Sequence, residues 1–158
     1  MAMDSPAPSP NGDGGPVTVL AHRWCALTVL HDTIESRVER ALQDGHGIST
    51  REYSVLVALS VRPEGKMRMS ELSEVVVLSQ SATTRLVNRL EGRGLLERSL
   101  CADDRRGIYT ALTEDGRRLL AEARPTNDAA LDAALSYAER NPVLAPLAAA
   151  LREVPVPV

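Results

Sequence analysis

With 158 residues, 44% of them hydrophobic, but no Phe, one Trp and three Tyr, the chain is expected to form one domain with a core of Leu, Val and Ala. Such a core favours helices, because Ala and Leu are among the best helix formers. The formal net charge of −3 excludes an evenly basic surface, yet Arg62 to Arg106 holds nine Arg and Lys against seven Asp and Glu, while the remainder holds nine against fourteen. Two widely separated cysteines imply no disulfide framework.

Residues 1–16 are rich in Pro, Gly, Ser and Asp and are expected to be a disordered tail, neither signal peptide nor membrane anchor. No stretch approaches the roughly 18 uninterrupted apolar residues of a membrane span, so a soluble, cytoplasmic protein is expected. From Val17 to about Gln43, Leu20, Trp24, Leu27, Ile34, Val38 and Ala41 recur at helical spacing, with His31 at the one missing step. Ala21 and Cys25 widen this face, and Asp44-Gly-His-Gly47 is predicted to break the helix. A helix this long has too little of one small lobe to pack against, which makes residues 17–48 a candidate dimerisation segment.

Ser49 is a predicted N-cap and Glu52, three residues on, completes a capping box. Tyr53, Leu56, Val57 and Val61 form the expected apolar side, Arg62 to Gly65 ends the helix, and Lys66 to Met69 reads as a short strand. A short helix from Ser70 to Val77, capped by Ser70, leads through a tight turn at Leu78-Ser79 into a second helix, Ser79 to Glu91. That helix has two faces. Ala82, Leu86, Val87 and Leu90 make an apolar stripe together with the methyl of Thr83, while Ser81, Thr84, Arg85 and Asn88 follow i, i+3, i+4, i+7 on the other side. A solvated face ordinarily mixes Glu with Lys. This one holds no acid, and its side chains are of the kinds that read base edges and phosphates. Ser79 as N-cap leaves helix-start N–H groups suited to a phosphate.

Gly92-Arg-Gly94 stops the helix, and Leu95 to Leu100 and Ile108 to Leu112 read as strands joined by the polar loop Cys101 to Gly107. The predicted fold class is therefore mainly α with a small β-hairpin wing: a winged helix-turn-helix spanning 49–112. Thr113 caps a further long helix whose first turn holds Glu114 and Asp115. Arg124-Pro125 is expected to interrupt it, and Asn141-Pro142 and Ala145-Pro146 to stop it, before a last helix from Leu147 to Val154. Residues 113–154 form a second candidate dimerisation segment.

Met69-Ser-Glu-Leu72, Leu78-Ser-Gln-Ser81, Thr84 to Leu95 and Asp104-Arg-Arg-Gly107, followed by Leu112-Thr113 and Gly116, resemble the MarR family of bacterial transcription regulators. The likeness runs from about Ser49 to Ala123 and preserves the order and spacing of several motifs. It implies a homodimeric winged-helix regulator, usually a repressor of an inverted-repeat operator, often released by a small aromatic acid or by thiol oxidation. Candidate DNA contacts are Ser70, Ser79, Ser81 and Thr83, then Thr84, Arg85, Asn88 and Arg89 along the second helix. Arg105 and Arg106 join them at the wing, where the family sends an arginine into the minor groove. Trp24, His31 and Tyr53 are candidates for an effector pocket.

Other residues admit alternative chemistry. Cys25 lies near where the family's oxidation-sensing branch carries its thiol, although small free cysteines are commonly buried. His22 and Cys25 at i,i+3 suggest a metal, but a zinc site ordinarily needs three or four ligands. Asp103 and Asp104 are expected to orient Arg105 and Arg106 through charge-assisted hydrogen bonds rather than to act as paired acids. No catalytic constellation is present, so no enzyme activity, cofactor or resident metal is expected. A winged helix serving protein interaction alone is the remaining alternative, and the acid-free face weighs against it.

Overall fold

Helix α1, Val19–His46, begins at the Thr18 cap, whose hydroxyl accepts from the Ala21 amide, and ends at Gly47, whose φ of 63° suits a left-handed stop. It thus continues through Gly45, past the predicted break. Leu42 is fully buried on its last turns, and a 2.8 Å hydrogen bond joins His46 to Thr126. These tertiary contacts offset the roughly 1 kcal/mol helix penalty of an interior glycine. The computed structural model describes residues 18–62, 64–101 and 104–155; the side chains of residues 100, 101 and 104–106 are outside that description. The expected N-terminal tail, the wing-tip Asp103 and the side chains of Asp104, Arg105 and Arg106 therefore lie outside the described residues.

The buried row of α1 is Ala26, Leu30, Val38 and Leu42, with Ile34 packed between. The predicted row only partly coincides with it: Leu20 is 75% exposed, Trp24 67% and Leu27 47%. Two apolar rows share this helix, and only one faces the rest of the chain.

Helix α2, Thr50–Ser60, has both halves of the Ser49–Glu52 capping box. Its buried side is Val55, Leu56, Ala58 and Leu59, with Tyr53 and Val57 half-buried and Val61 exposed. Strand β1, Lys66–Arg68, precedes α3, Met69–Val75. Arg68, not Ser70, occupies the N-cap position, and no side chain caps this helix. Ser70 lies two positions past that N-cap, inside the first turn; its carbonyl accepts from the Ser73 hydroxyl instead. The turn into α4, Gln80–Gly92, includes Val77 at φ 53°.

Strands β2, Leu96–Cys101, and β3, Asp104–Leu112, pair antiparallel, and β1 adds to the other edge of β3. The strands extend into most of the loop predicted from Cys101 to Gly107. Helix α5, Glu114–Ala138, starts at the Thr113 cap and continues through Pro125, where a break was predicted. It ends before Asn141. Pro146 lies in the first turn of α6, Ala145–Glu153, where its missing N–H costs nothing, so it opens this helix instead of stopping the previous one.

Two hydrophobic clusters result. The larger unites the C-terminal half of α1 with α2, α3, α4, the sheet and the start of α5. The smaller joins Ala26 and Leu30 to Leu135, Ala138, Leu144 and Ala148. The close fit between wing and α5 depends on Gly116: a Cβ there would lie 2.2 Å from the Leu95 carbonyl oxygen.

Candidate nucleic-acid interface

Helix α4 is fixed by its apolar side. Thr83, Leu86, Val87 and Leu90 are buried, which turns Ser81, Thr84, Arg85 and Asn88 outward together. Thr83 is removed from the candidate contacts: it is fully buried, and its hydroxyl donates to the Ser79 carbonyl at 3.1 Å. Ser79 caps the helix by accepting from the Ala82 amide at 3.2 Å. The first turn holds no acid, so the positive end of the helix dipole is uncompensated by side-chain charge.

The exposed side chains differ in freedom. Thr84 donates to the Gln80 carbonyl at 2.8 Å, leaving its oxygen to accept. Arg85 is exposed, and makes no ion pair among the described residues. Arg89 is exposed too, but its guanidinium is 3.6 Å from Glu52. Ser70 is exposed at the start of α3, on a different element from the helix that carries the rest.

Three side chains hold this face in place; Glu52 was legible in the sequence only as part of a capping box, and Arg93 and Arg98 were missed. Glu52 is buried at the start of α2; one carboxylate oxygen accepts from the Ser49 amide, and Arg89 and Arg93 approach at 3.6 and 3.7 Å. Arg93 also donates to the Gly47 carbonyl at 3.0 Å, tying the end of α4 to the α1–α2 junction. From β2, Arg98 donates to the Asn88 side-chain oxygen and lies 3.6 Å from Glu91. Alternation from buried Leu96 was the available signal for Arg98, since residues two apart share one face of a strand.

A cleft of about 320 Å³ opens between α1, α2 and α5. Ile34, Val38 and Leu131 give it apolar walls; His31, Arg51, Tyr53 and Asn127 bring polar groups. His31 lies 3.2 Å from both Asp32 and Glu35, and Arg51 is 3.8 Å from Glu35. Burial, then the negative charge of Asp128, pushes the Tyr53 phenol above its usual range, against the opposing influence of Arg124. His31 and Tyr53 thus meet in one cleft. Trp24 does not line it and is largely exposed two turns earlier on α1. Cys25 is exposed rather than packed. Among the described residues, no three or more His, Cys, Asp or Glu are grouped to hold a metal ion, and no helix is long and apolar enough to cross a membrane.

A helix-turn-helix with a three-stranded wing and an acid-free outward face defines a winged-helix DNA-binding protein. A MarR family profile matches residues 46–107. The transcriptional repressor MprA of Escherichia coli K12 is 34% identical over 79 residues, which are 50% of this chain and 45% of MprA; the chain thus spans under half of that relative. Among solved structures, Sco3205, a MarR family regulator from Streptomyces coelicolor in complex with DNA, is 29% identical, with a TM-score of 0.70 and 74% of each chain covered. CouR from Rhodococcus jostii RHA1, bound to p-coumaroyl-CoA, is 36% identical, with a TM-score of 0.60 over 66% of this chain and 71% of CouR. The chain belongs to the MarR family, and the relatives it matches are transcriptional regulators.

Proposed function

We propose that this protein is a homodimeric transcriptional repressor that binds an inverted-repeat operator in double-stranded DNA and is released by a small aromatic or phenolic ligand. The observation that carries this reading is the outward face of α4, where Ser81, Thr84, Arg85 and Asn88 stand exposed without an acid. Residues 49–112 read the DNA, while 17–48 and 113–154 pair with a second copy. Exposed Leu20, Trp24 and Leu27 on α1, with Leu151 on α6, supply apolar surface for that pairing. The cleft containing His31 and Tyr53 supports the ligand assignment, since apolar walls with a few polar groups suit a small amphipathic molecule. Such a regulator acts in the cytoplasm, where its DNA is.

The test is binding to upstream intergenic duplex. Half-sites are expected about 10–10.5 base pairs apart, or a multiple of that. If the dimer neutralises 6–10 phosphates, affinity falls by roughly 10³–10⁵ between 50 and 200 mM salt. Arg85→Ala costs about 1–3 kcal/mol and relaxes preference at one base position per half-site. Arg106→Ala weakens all major-groove variants alike, with an effect that follows the A·T content of the flanks. An asymmetric footprint, or affinity indifferent to salt, overturns the reading.

A redox-responsive regulator on the same scaffold is a second reading, favoured by the exposure of the Cys25 thiol. Full loss of an oxidant response in Cys25→Ser selects it over the ligand reading.

A further inference from the structure

Asn88 is a carboxamide on the outward face of α4, two turns beyond the exposed Gln80 at the helix start, and the Arg98 guanidinium meets its side chain. The guanidinium has donors and no acceptor, so the Asn88 atom facing it is the side-chain oxygen, and the amide nitrogen is left pointing away. Arg98 is held for this role from two sides. Its backbone belongs to β2, where it pairs with Thr110, and its side chain lies 3.6 Å from Glu91, one turn of α4 beyond Asn88. Glu91 also balances the Arg98 charge locally, which makes Arg98 a weaker ligand for phosphate than Arg85, which makes no ion pair among the described residues.

An asparagine reads adenine by using both ends at once: its oxygen accepts from the N6 amino group while its nitrogen donates to N7. With a guanidinium already on the oxygen, a second donor approaching that atom meets positive charge. The amide nitrogen keeps both its hydrogens. We propose that Arg98 is a specificity-positioning residue: it makes Asn88 a hydrogen-bond donor to the major groove, selecting guanine or thymine acceptors and disfavouring adenine. The inference rests on the reading that the outward face of α4 enters that groove.

The experiment selects bound sequences from a random duplex library with the wild-type protein, Asn88→Ala, Arg98→Met, Glu91→Gln and the Asn88→Ala/Arg98→Met double variant. Circular dichroism and melting temperature check the fold of each. Asn88→Ala identifies the base position concerned by flattening its preference. The wild type is expected to favour G or T there. Arg98→Met frees the oxygen and shifts preference toward A by about tenfold, within the range that one bidentate base contact supplies. Glu91→Gln, which leaves the strand–helix packing intact, produces the same shift to a smaller extent, and the double variant is as flat as Asn88→Ala. Adenine preference in the wild type, or uniform weakening by Arg98→Met and Glu91→Gln with no change at that position, overturns the proposal. If Asn88→Ala alters no position, the underlying reading of the α4 face fails and takes the proposal with it.

Discussion

The DNA-reading lobe and the α1–α6 end of the molecule treat their apolar residues in opposite ways. In the lobe, Leu56, Leu59, Leu72, Val87 and Leu90 are all fully buried. At the other end, Val19, Leu20, Trp24, Val143 and Val154 are each at least 60% exposed, and Ala26, Leu30, Leu135, Ala138, Leu144 and Ala148 form only a small cluster. The lobe closes over its own core. The far end is apolar on both sides of a helix and covers just one of them. One chain therefore contains a finished unit and an unfinished one, and the two should answer differently to mutation.

The largest effect is expected inside the finished unit. Leu56→Ala removes a side chain with no exposed surface, and should cost about 2–5 kcal/mol in urea-unfolding stability. A cost below about 1 kcal/mol would mean that the lobe packs loosely and that the contrast is false.

Next comes the seam between wing and α5. On helix propensity alone, Gly116→Ala should stabilise by as much as 1 kcal/mol or so. The clash with the Leu95 carbonyl reverses the sign, and the variant should lose about 1–3 kcal/mol, read from its denaturation midpoint. Stabilisation would show that the seam yields.

The smallest effect on the single chain, and the sharpest on the comparison, belongs to Trp24→Ala. Folding of the isolated protomer should change by no more than about 0.5 kcal/mol, because the ring is 67% exposed. Light scattering should nevertheless find a larger monomer fraction at low micromolar concentration, and the melting temperature should become more dependent on concentration. An unchanged dimer fraction would put the unfinished surface elsewhere.

The two regions also differed in how far they could be read from sequence. The faces of α4 were legible because Thr83, Leu86, Val87 and Leu90 contrast with Ser81, Thr84, Arg85 and Asn88 at one clear period. Ser49, Ser79 and Thr113 were legible as caps, since a hydroxyl before a helix start has one strong local use. The α1 row was misread because both rows are apolar, and periodicity does not say which is covered by the same chain. Ser70 and Pro146 were each misplaced by position: both sit within the first turn of a helix, not outside it. The candidate site divides similarly. Arg85 and Asn88 follow from local spacing, whereas the Arg98–Asn88 contact depends on how a strand lies beside a helix ten residues earlier. Likewise, the cleft takes Tyr53 from α2 and Leu131 from α5, a meeting that no local pattern reports.

Helix α1 belongs to both regions without interruption. Its 28 residues make a rod of about 42 Å at 1.5 Å per residue, with Ala26 and Leu30 in one cluster and Val38 and Leu42 in the other. Such a rod acts as a lever arm. A tilt of about 5° at the Trp24 end carries the Gly47 end through roughly 3–4 Å, close to the 3.4 Å rise of one nucleotide along a DNA strand. Arg93, bonded to the Gly47 carbonyl, passes that displacement to the foot of α4. Because Leu42 and Val38 seat that end of the rod in the lobe core, a tilt of α1 would carry the lobe with it, and α4 would move by about one nucleotide step.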